Sequence, residues 1–291
     1  MALRHLALML LTCTIWGFNF VAAKVGVREL PPLLFTGLRF GMLAIALLPF
    51  LKPARGRMRD VLVIALFNGA FHFGLMFIGI AMAAASVVAV VAQLNVPFAT
   101  LLSIFFLGEV VHARRWVGIV LTFIGVTIVS FDPHVFDALT GVLFTAAAAL
   151  SAAIAAVCMR SLSNVGVFQL QSWTAFITAP MLLGASLIFE SGQGAAISNA
   201  QPITWAALLF TTIGASLIGH NAYYYLLQRY EVSLIAPLSL ISPLLGVVFG
   251  IVMLGEHVSP RIVTGAVTAF VGVGVLAVPG RRPRTVKNTQ V

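Results

Sequence analysis

The chain has 291 residues, of which 60% are hydrophobic and 9% charged, with a mean hydropathy of +1.06. A soluble chain carries roughly a quarter charged residues, so a soluble fold is excluded, and continuous rather than alternating apolar runs exclude a transmembrane β-barrel. The net charge of +9 fits basic residues flanking membrane spans and not a nucleic-acid partner, and the two cysteines, Cys13 and Cys158, lie inside apolar segments with no metal or disulfide spacing.

Apolar runs of about 20 residues, enough to cross ~30 Å of hydrocarbon, recur along the chain and predict ten spans. Span one runs near 4–24; Arg4 and the apolar run after it look like a signal peptide, but no small-residue cleavage site follows. Trp16, Asn19 and Phe20 share one face of it, spaced i, i+3, i+4. Span two, 32–51, contains Arg39, the one clear intramembrane cation. It lies seven residues in, or roughly 10 Å along a helix. Arg39 can snorkel outward, bond to carbonyls of a neighbouring helix, or attract a substrate carboxylate; its nearness to the interface favours a structural role. Span three, 60–82, places Asn68 and His72 on one face. Span four, 85–107, holds Gln93 and Asn95 just before Pro97. Span five, 115–131, presents a small-residue face of Gly118, Thr122 and Gly125.

Spans six and seven run near 139–160 and 167–189; Gln171, Thr174 and Thr178 share a face of the latter, beside Trp173. Span eight, 203–228, places His220 and Tyr224 one turn apart. In span nine, 232–254, Ser239 and Ser242 lie between Pro237 and Pro243, ahead of a Gly246/Gly250 pair. Prolines free backbone carbonyls, which are tolerated at depth only inside protein or beside a cavity. Span ten, 260–279, opens on Ser259–Pro260, an N-cap and first-turn pair. Only 52–60 and 190–202 read as substantial loops, and a basic, disordered tail is expected at 281–291.

The chain is written twice. Residues 107–126, beginning Leu107-Gly108-Glu109, match 254–273, beginning Leu254-Gly255-Glu256, at an offset of 147. Arg114, Gly118 and Gly125 then meet Arg261, Gly265 and Gly272. Five spans per copy is odd, so the second copy enters from the opposite side, which predicts an all-α membrane protein with a 5+5 inverted repeat over 1–134 and 135–280. Basic residues orient it. Arg4, Lys52, Arg55, Arg57, Arg59, Arg114, Arg115, Arg160, Arg229, Arg281, Arg282, Arg284 and Lys287 fall on one side, and Lys24, Arg28 and Arg261 on the other. Both termini are expected in the cytoplasm.

Trp16-Gly17-Phe18-Asn19-Phe20, the arginine of Leu38-Arg39-Phe40 and the two Gly-Glu pairs before Gly-rich spans resemble the EamA-type members of the drug/metabolite transporter superfamily. Within it the chain is most similar to YddG-type amino-acid exporters of the bacterial inner membrane. The resemblance implies a ten-helix inverted-repeat fold and export of small metabolites. One departure is that Pro97 lies twelve residues before Glu109 but Pro243 lies thirteen before Glu256.

All eight acidic residues fall at span ends or loops, which argues against a buried glutamate that alternately binds protons and organic cations. Glu109 and Glu256 read as helix-end devices offering acceptors to donors of the following helix; a gate at each face is the alternative. His72 and His220 are near-equivalent under the repeat, since 72 + 147 is 219. They either line one central cavity or bond helix to helix. The expected function is export of amino acids, aromatic or neutral, or related metabolites, by alternating access. The expected site is Trp16, Asn19, Phe20, Asn68, His72, Asn95, Trp173, His220, Tyr224, Ser239 and Ser242. Arg39, Glu109, Glu256, Pro97, Pro237 and Pro243 are assigned to structure or gating. The partners are a small molecule and the lipid bilayer. No cofactor, metal or catalytic constellation is expected, and the small-residue faces are assigned to packing within a monomer. Export of drugs or cationic toxins is the rival reading.

Overall fold

The computed structural model describes residues 1–108, 112–160, 162, 165–227, 229–230, 235 and 238–277. Glu109, Pro237, the side chain of Tyr224 and the 281–291 tail lie outside the described residues. Among those described, the secondary structure is helical, with no strand. Eight helices are long and apolar enough to span a membrane, and two apolar helices are shorter. In chain order they are α1 (Leu3–Gly26), α2 (Pro32–Ala46, short), α3 (Met58–Met82), α4 (Ala85–Phe106), α5 (Ala113–Ser130), α6 (Leu139–Met159), α7 (Val167–Phe189), α8 (Pro202–Tyr223), α9 (Ile241–Leu254, short) and α10 (Pro260–Ala277).

Helix α2 departs from the expected 32–51; of the expected 232–254, residues 232–234, 236 and 237 lie outside the described residues. At ~1.5 Å per residue, the 15 residues of α2 reach only about 22 Å. Pro49 is the reason: it has no N–H to give the Ile45 carbonyl, and Leu48–Phe50 tighten into a 3₁₀ turn. Helix α9 starts two residues before Pro243, where a missing N–H removes no helical bond. The expected loop 190–202 contains a seven-residue helix, Gln193–Asn199, entered through Gly192 at φ 75°.

Helix pairs α5/α10, α2/α7 and α1/α9 pack along their lengths, and α6 packs on α3 and α4. The small-residue face of α5 meets its repeat counterpart. A Cβ on Gly125 would strike the Gly265 carbonyl and the Ala269 backbone, and one on Gly118 would come within 2.8 Å of the Gly272 carbonyl. Valines from α4 and α5 and Ile262, Ala266 and Ala269 from α10 form one buried cluster beside this seam.

One end of the bundle is tied by side chains that satisfy helix termini. Glu190, after α7, accepts from the N–H groups of Leu33 and Leu34 at 2.7 and 3.0 Å, capping α2. Glu256, after α9, accepts from Ala85 and Ser86 at 2.6 and 2.9 Å, capping α4. Glu29 accepts from the Gln201 N–H at 2.8 Å and the Thr204 hydroxyl at 2.7 Å, capping α8. Lys24 donates to the carbonyls of Ile80, Ala81 and Ala83 at the end of α3. Glu256 therefore caps a helix distant in sequence and not the next one, as the sequence suggested. Gly255, at φ 65°, turns the chain back after α9, and Gly250, lacking a Cβ, leaves space for the carboxylate. The following helix has its own cap: the Ile262 N–H donates to Ser259 Oγ at 3.1 Å, and the Ser259 hydroxyl bonds to buried Asp132.

Candidate functional site

Two helices leave α-helical geometry just before a histidine. Ala65–Phe71 in α3 and Phe210–Gly219 in α8 are π-helical, and His72 and His220 follow them directly. Wider π turns release carbonyls from strict i→i+4 pairing and often occur at functional sites. The Ala215 carbonyl accepts from Trp16 Nε1 at 3.2 Å and from His220 Nδ1 at 2.9 Å. The Ser216 carbonyl accepts from Gln171 Nε2 at 3.1 Å. In α3 the Phe67 carbonyl accepts from Ser151 of α6 at 2.7 Å. A carbonyl only accepts, so Nδ1 of each histidine carries the proton; His72 Nδ1 donates to Ala148 of α6 at 2.9 Å.

Of these groups, Trp16, His72, Gln171, Ala215, Ser216 and His220 border two neighbouring cavities that share Phe73 and His220. The larger, about 490 Å³, is walled by α1, α2, α3 and α4 on one side of the repeat and α8, α9 and α10 on the other. The smaller, about 380 Å³, reaches Leu162 and Val165 between α6 and α7, at the end of the bundle away from the carboxylate caps. Among the described residues no carboxylate lines either. Among the described residues no cluster of three or more His, Cys, Asp or Glu side chains could hold a metal.

Of the sequence-derived candidates, Trp16, Asn19, Phe20, His72, Asn95, His220, Ser239, Ser242 and Pro243 line the larger cavity. Asn68 lines the smaller one. Trp16 packs against His220 and Tyr223, with ring centroids 5.2 Å apart in both pairs. Pro97 is buried within the helix that continues from Asn95. Trp173 is not brought to either cavity: its indole donates to the Lys52 carbonyl at 2.8 Å, beside the turn that follows α2. The spacing that placed it near Gln171 ignored that position 173 points to a different side of the helix.

Arg39 sits at the midpoint of short α2, 1% exposed, so the route to the interface that the sequence favoured is closed. Its guanidinium lies 4.8 Å above the Phe73 ring and 5.5 Å from that of Phe77, and Nη2 donates to Ser216 Oγ at 2.9 Å. Sequence reasoning overlooked Ser216, Phe73 and the π-segment carbonyls. Ser216, four residues before His220, was within reach of the same i, i+4 argument; the π geometry had no local signature.

The model of the EamA-like transporter family matches residues 3–131 and again residues 139–278. A protein of Escherichia coli (strain K12) named "Probable amino-acid metabolite efflux pump" is 30% identical over 278 residues, covering 91% of this chain and 92% of its own length. A protein of the same name from Salmonella typhimurium is 30% identical over 291 residues, covering 96% and 97%. A protein of known crystal structure, 19% identical, superposes with a TM-score of 0.61 over 94% of this chain and 96% of its own, a likeness of fold. Two family matches that together take in nearly every residue, on a bundle of membrane-spanning helices, mean that the chain belongs to the EamA-like transporter family.

Proposed function

We propose that this protein exports amino acids, aromatic or neutral, or closely related small metabolites across the bacterial inner membrane. The two halves, 1–134 and 135–280, would form a ten-span 5+5 inverted repeat that rocks about the shared cavity. Both termini and the basic 281–291 tail would lie in the cytoplasm. The observation that carries the reading is the cavity itself. Residues of both copies line it at matching register: Asn95 corresponds to Ser242 at the 147 offset, and His72 falls one place from His220. A site shared by two related halves is what alternating access requires. The two 30% identical relatives named amino-acid metabolite efflux pumps support the substrate class.

On this reading the described conformation opens toward the cytoplasm. The carboxylate caps tie the outer end of α2 to α7, of α4 to α9 and of α8 to the α1–α2 turn, while the smaller cavity extends to the α6–α7 turn. The absence of a carboxylate among the described lining residues disfavours a cationic drug as cargo. The test is purified protein in liposomes, assayed with a panel of labelled neutral and aromatic amino acids. Protein-dependent movement of at least one is expected; a flat panel contradicts the reading. Repeating the assay under an imposed pH gradient separates facilitated efflux, which is insensitive to it, from proton antiport.

A further inference from the structure

We infer that Arg39, Asn19 and Asn95 form a subsite for the zwitterionic head of an α-amino acid, with Arg39 taking the carboxylate and the two amide oxygens taking the ammonium group. The inference deepens the exporter reading and rests on it for the substrate's passage, though not for its binding.

Buried polar atoms are hydrogen-bonded in the great majority of cases, and each exception calls for a cause. Among the described residues, Arg39 Nε and Nη1 are buried without a hydrogen-bond partner, and so are Asn19 Oδ1 and Asn95 Oδ1. All three residues line the larger cavity. Nε brings one N–H and Nη1 two, so three of the five guanidinium donors lack acceptors. The donors belong to a cation and the orphaned acceptors to neutral amides. A ligand that satisfies both carries an anion able to accept several hydrogen bonds and, near it, a strong multiple donor. A carboxylate and an ammonium on one carbon have that pattern.

Charge narrows the ligand further. A buried cation without a counter-ion is costly, and the only ion pair among the described residues is Arg57–Asp60, at 3.3 Å. The rings of Phe40, Phe73 and Phe77 and the Ser216 hydroxyl hold the guanidinium in place without neutralising it. A carboxylate on Arg39 adds charge-assisted bonds, which are the stronger kind. Among the described residues Arg39 is the one basic side chain of Lys or Arg type on the cavity wall. One such cation matches a singly charged carboxylate; a phosphate dianion calls for more. A bare amine would leave Arg39 unpaired and add like charge. The repeat sharpens this asymmetry: 39 + 147 is 186, and position 186 is Ser, so the subsite is single. Trp16, Phe20 and Met76 leave an apolar wall for the side chain.

The test uses the full chain in detergent and in liposomes, with three probes: phenylalanine, phenethylamine lacking the carboxylate, and 3-phenylpropionate lacking the ammonium. Phenylalanine is expected to bind the wild-type protein at least tenfold more tightly than phenethylamine. Arg39→Gln is expected to abolish that preference, and Arg39→Lys to restore part of it. Asn19→Leu and Asn95→Leu are expected to weaken phenylalanine at least fivefold while leaving 3-phenylpropionate nearly unchanged, a split that a merely structural role would not produce. Equal binding of phenylalanine and phenethylamine by the wild-type protein overturns the inference without any variant having to fold. Leucine with isoamylamine and 4-methylpentanoate repeats the comparison for a smaller side chain; if neither amino acid binds, the subsite is wrong. If the zwitterions bind in this pattern but liposomes move no amino acid, the subsite stands and the exporter reading falls.

Discussion

At the scale of single residues, the cavity is assembled from side chains bonded to backbone that has left regular helix. Trp16 and His220 converge on the Ala215 carbonyl, and Gly219 leaves room for the indole, since a Cβ there would meet Trp16 Nε1 at 2.5 Å. Gly219→Val is therefore expected to displace Trp16 and lower transport at least tenfold, with a shift in indole fluorescence. Retention of both signals contradicts the packing described. His72 bonds across to the Ala148 carbonyl. His72→Ala should cost about 1 kcal/mol, read as a lower unfolding temperature in detergent. Much of this was legible: Trp16, Asn19, Phe20, His72, Asn95 and His220 stand out as polar or amphipathic groups in apolar helices, and burial in lipid makes such residues conspicuous. Arg39 was legible as a residue but not in its placement. Counting residues from the start of a long predicted span put it within reach of water, whereas Pro49 shortens that span and leaves Arg39 at its centre.

At the scale of helices, close packing and helix-end satisfaction account for the bundle's shape. Gly125 and Gly265 bring α5 and α10 into backbone contact. Gly125→Leu or Gly265→Leu should overpack the seam at a cost of about 1–3 kcal/mol, measured as a fall in unfolding temperature. An unchanged temperature contradicts the seam. The carboxylate caps were half legible. The sequence marks Glu256 as a helix-end residue because Gly255 precedes it, yet which helix it caps depends on how the two copies meet, and periodicity carries no such information. Glu29 shows the same pattern outside the spans: the Thr204 hydroxyl, then the Gln201 N–H, hold its carboxyl below the ordinary range. A depressed folded-state value means its contribution is present above the unfolded value and lost as pH falls through the folded one. Wild-type protein should thus lose thermal stability on acidification through that window, and Glu29→Gln should lose less. Identical acid profiles for the two would remove this cap from the account.

At the scale of the molecule, an apolar helical bundle and the doubling of the chain were open to reading because hydrophobicity and self-similarity are properties of sequence alone. The π segments before His72 and His220, the short α2 and the position of Trp173 were not, since each depends on contacts made by folding. The described structure ties one end of the bundle through Glu29, Glu190 and Glu256 and leaves a cavity reaching the other. In the proposed cycle those caps must open for release. Glu190→Gln combined with Glu256→Gln should then raise labelling of cysteines introduced in the cavity by a membrane-impermeant reagent from outside; unchanged labelling would argue that the caps are static. The central claim is tested most directly by counterflow of labelled phenylalanine and leucine into liposomes containing the purified protein. Protein-dependent accumulation is expected, reduced at least tenfold by Arg39→Gln. No accumulation of either amino acid by the wild-type protein would contradict it.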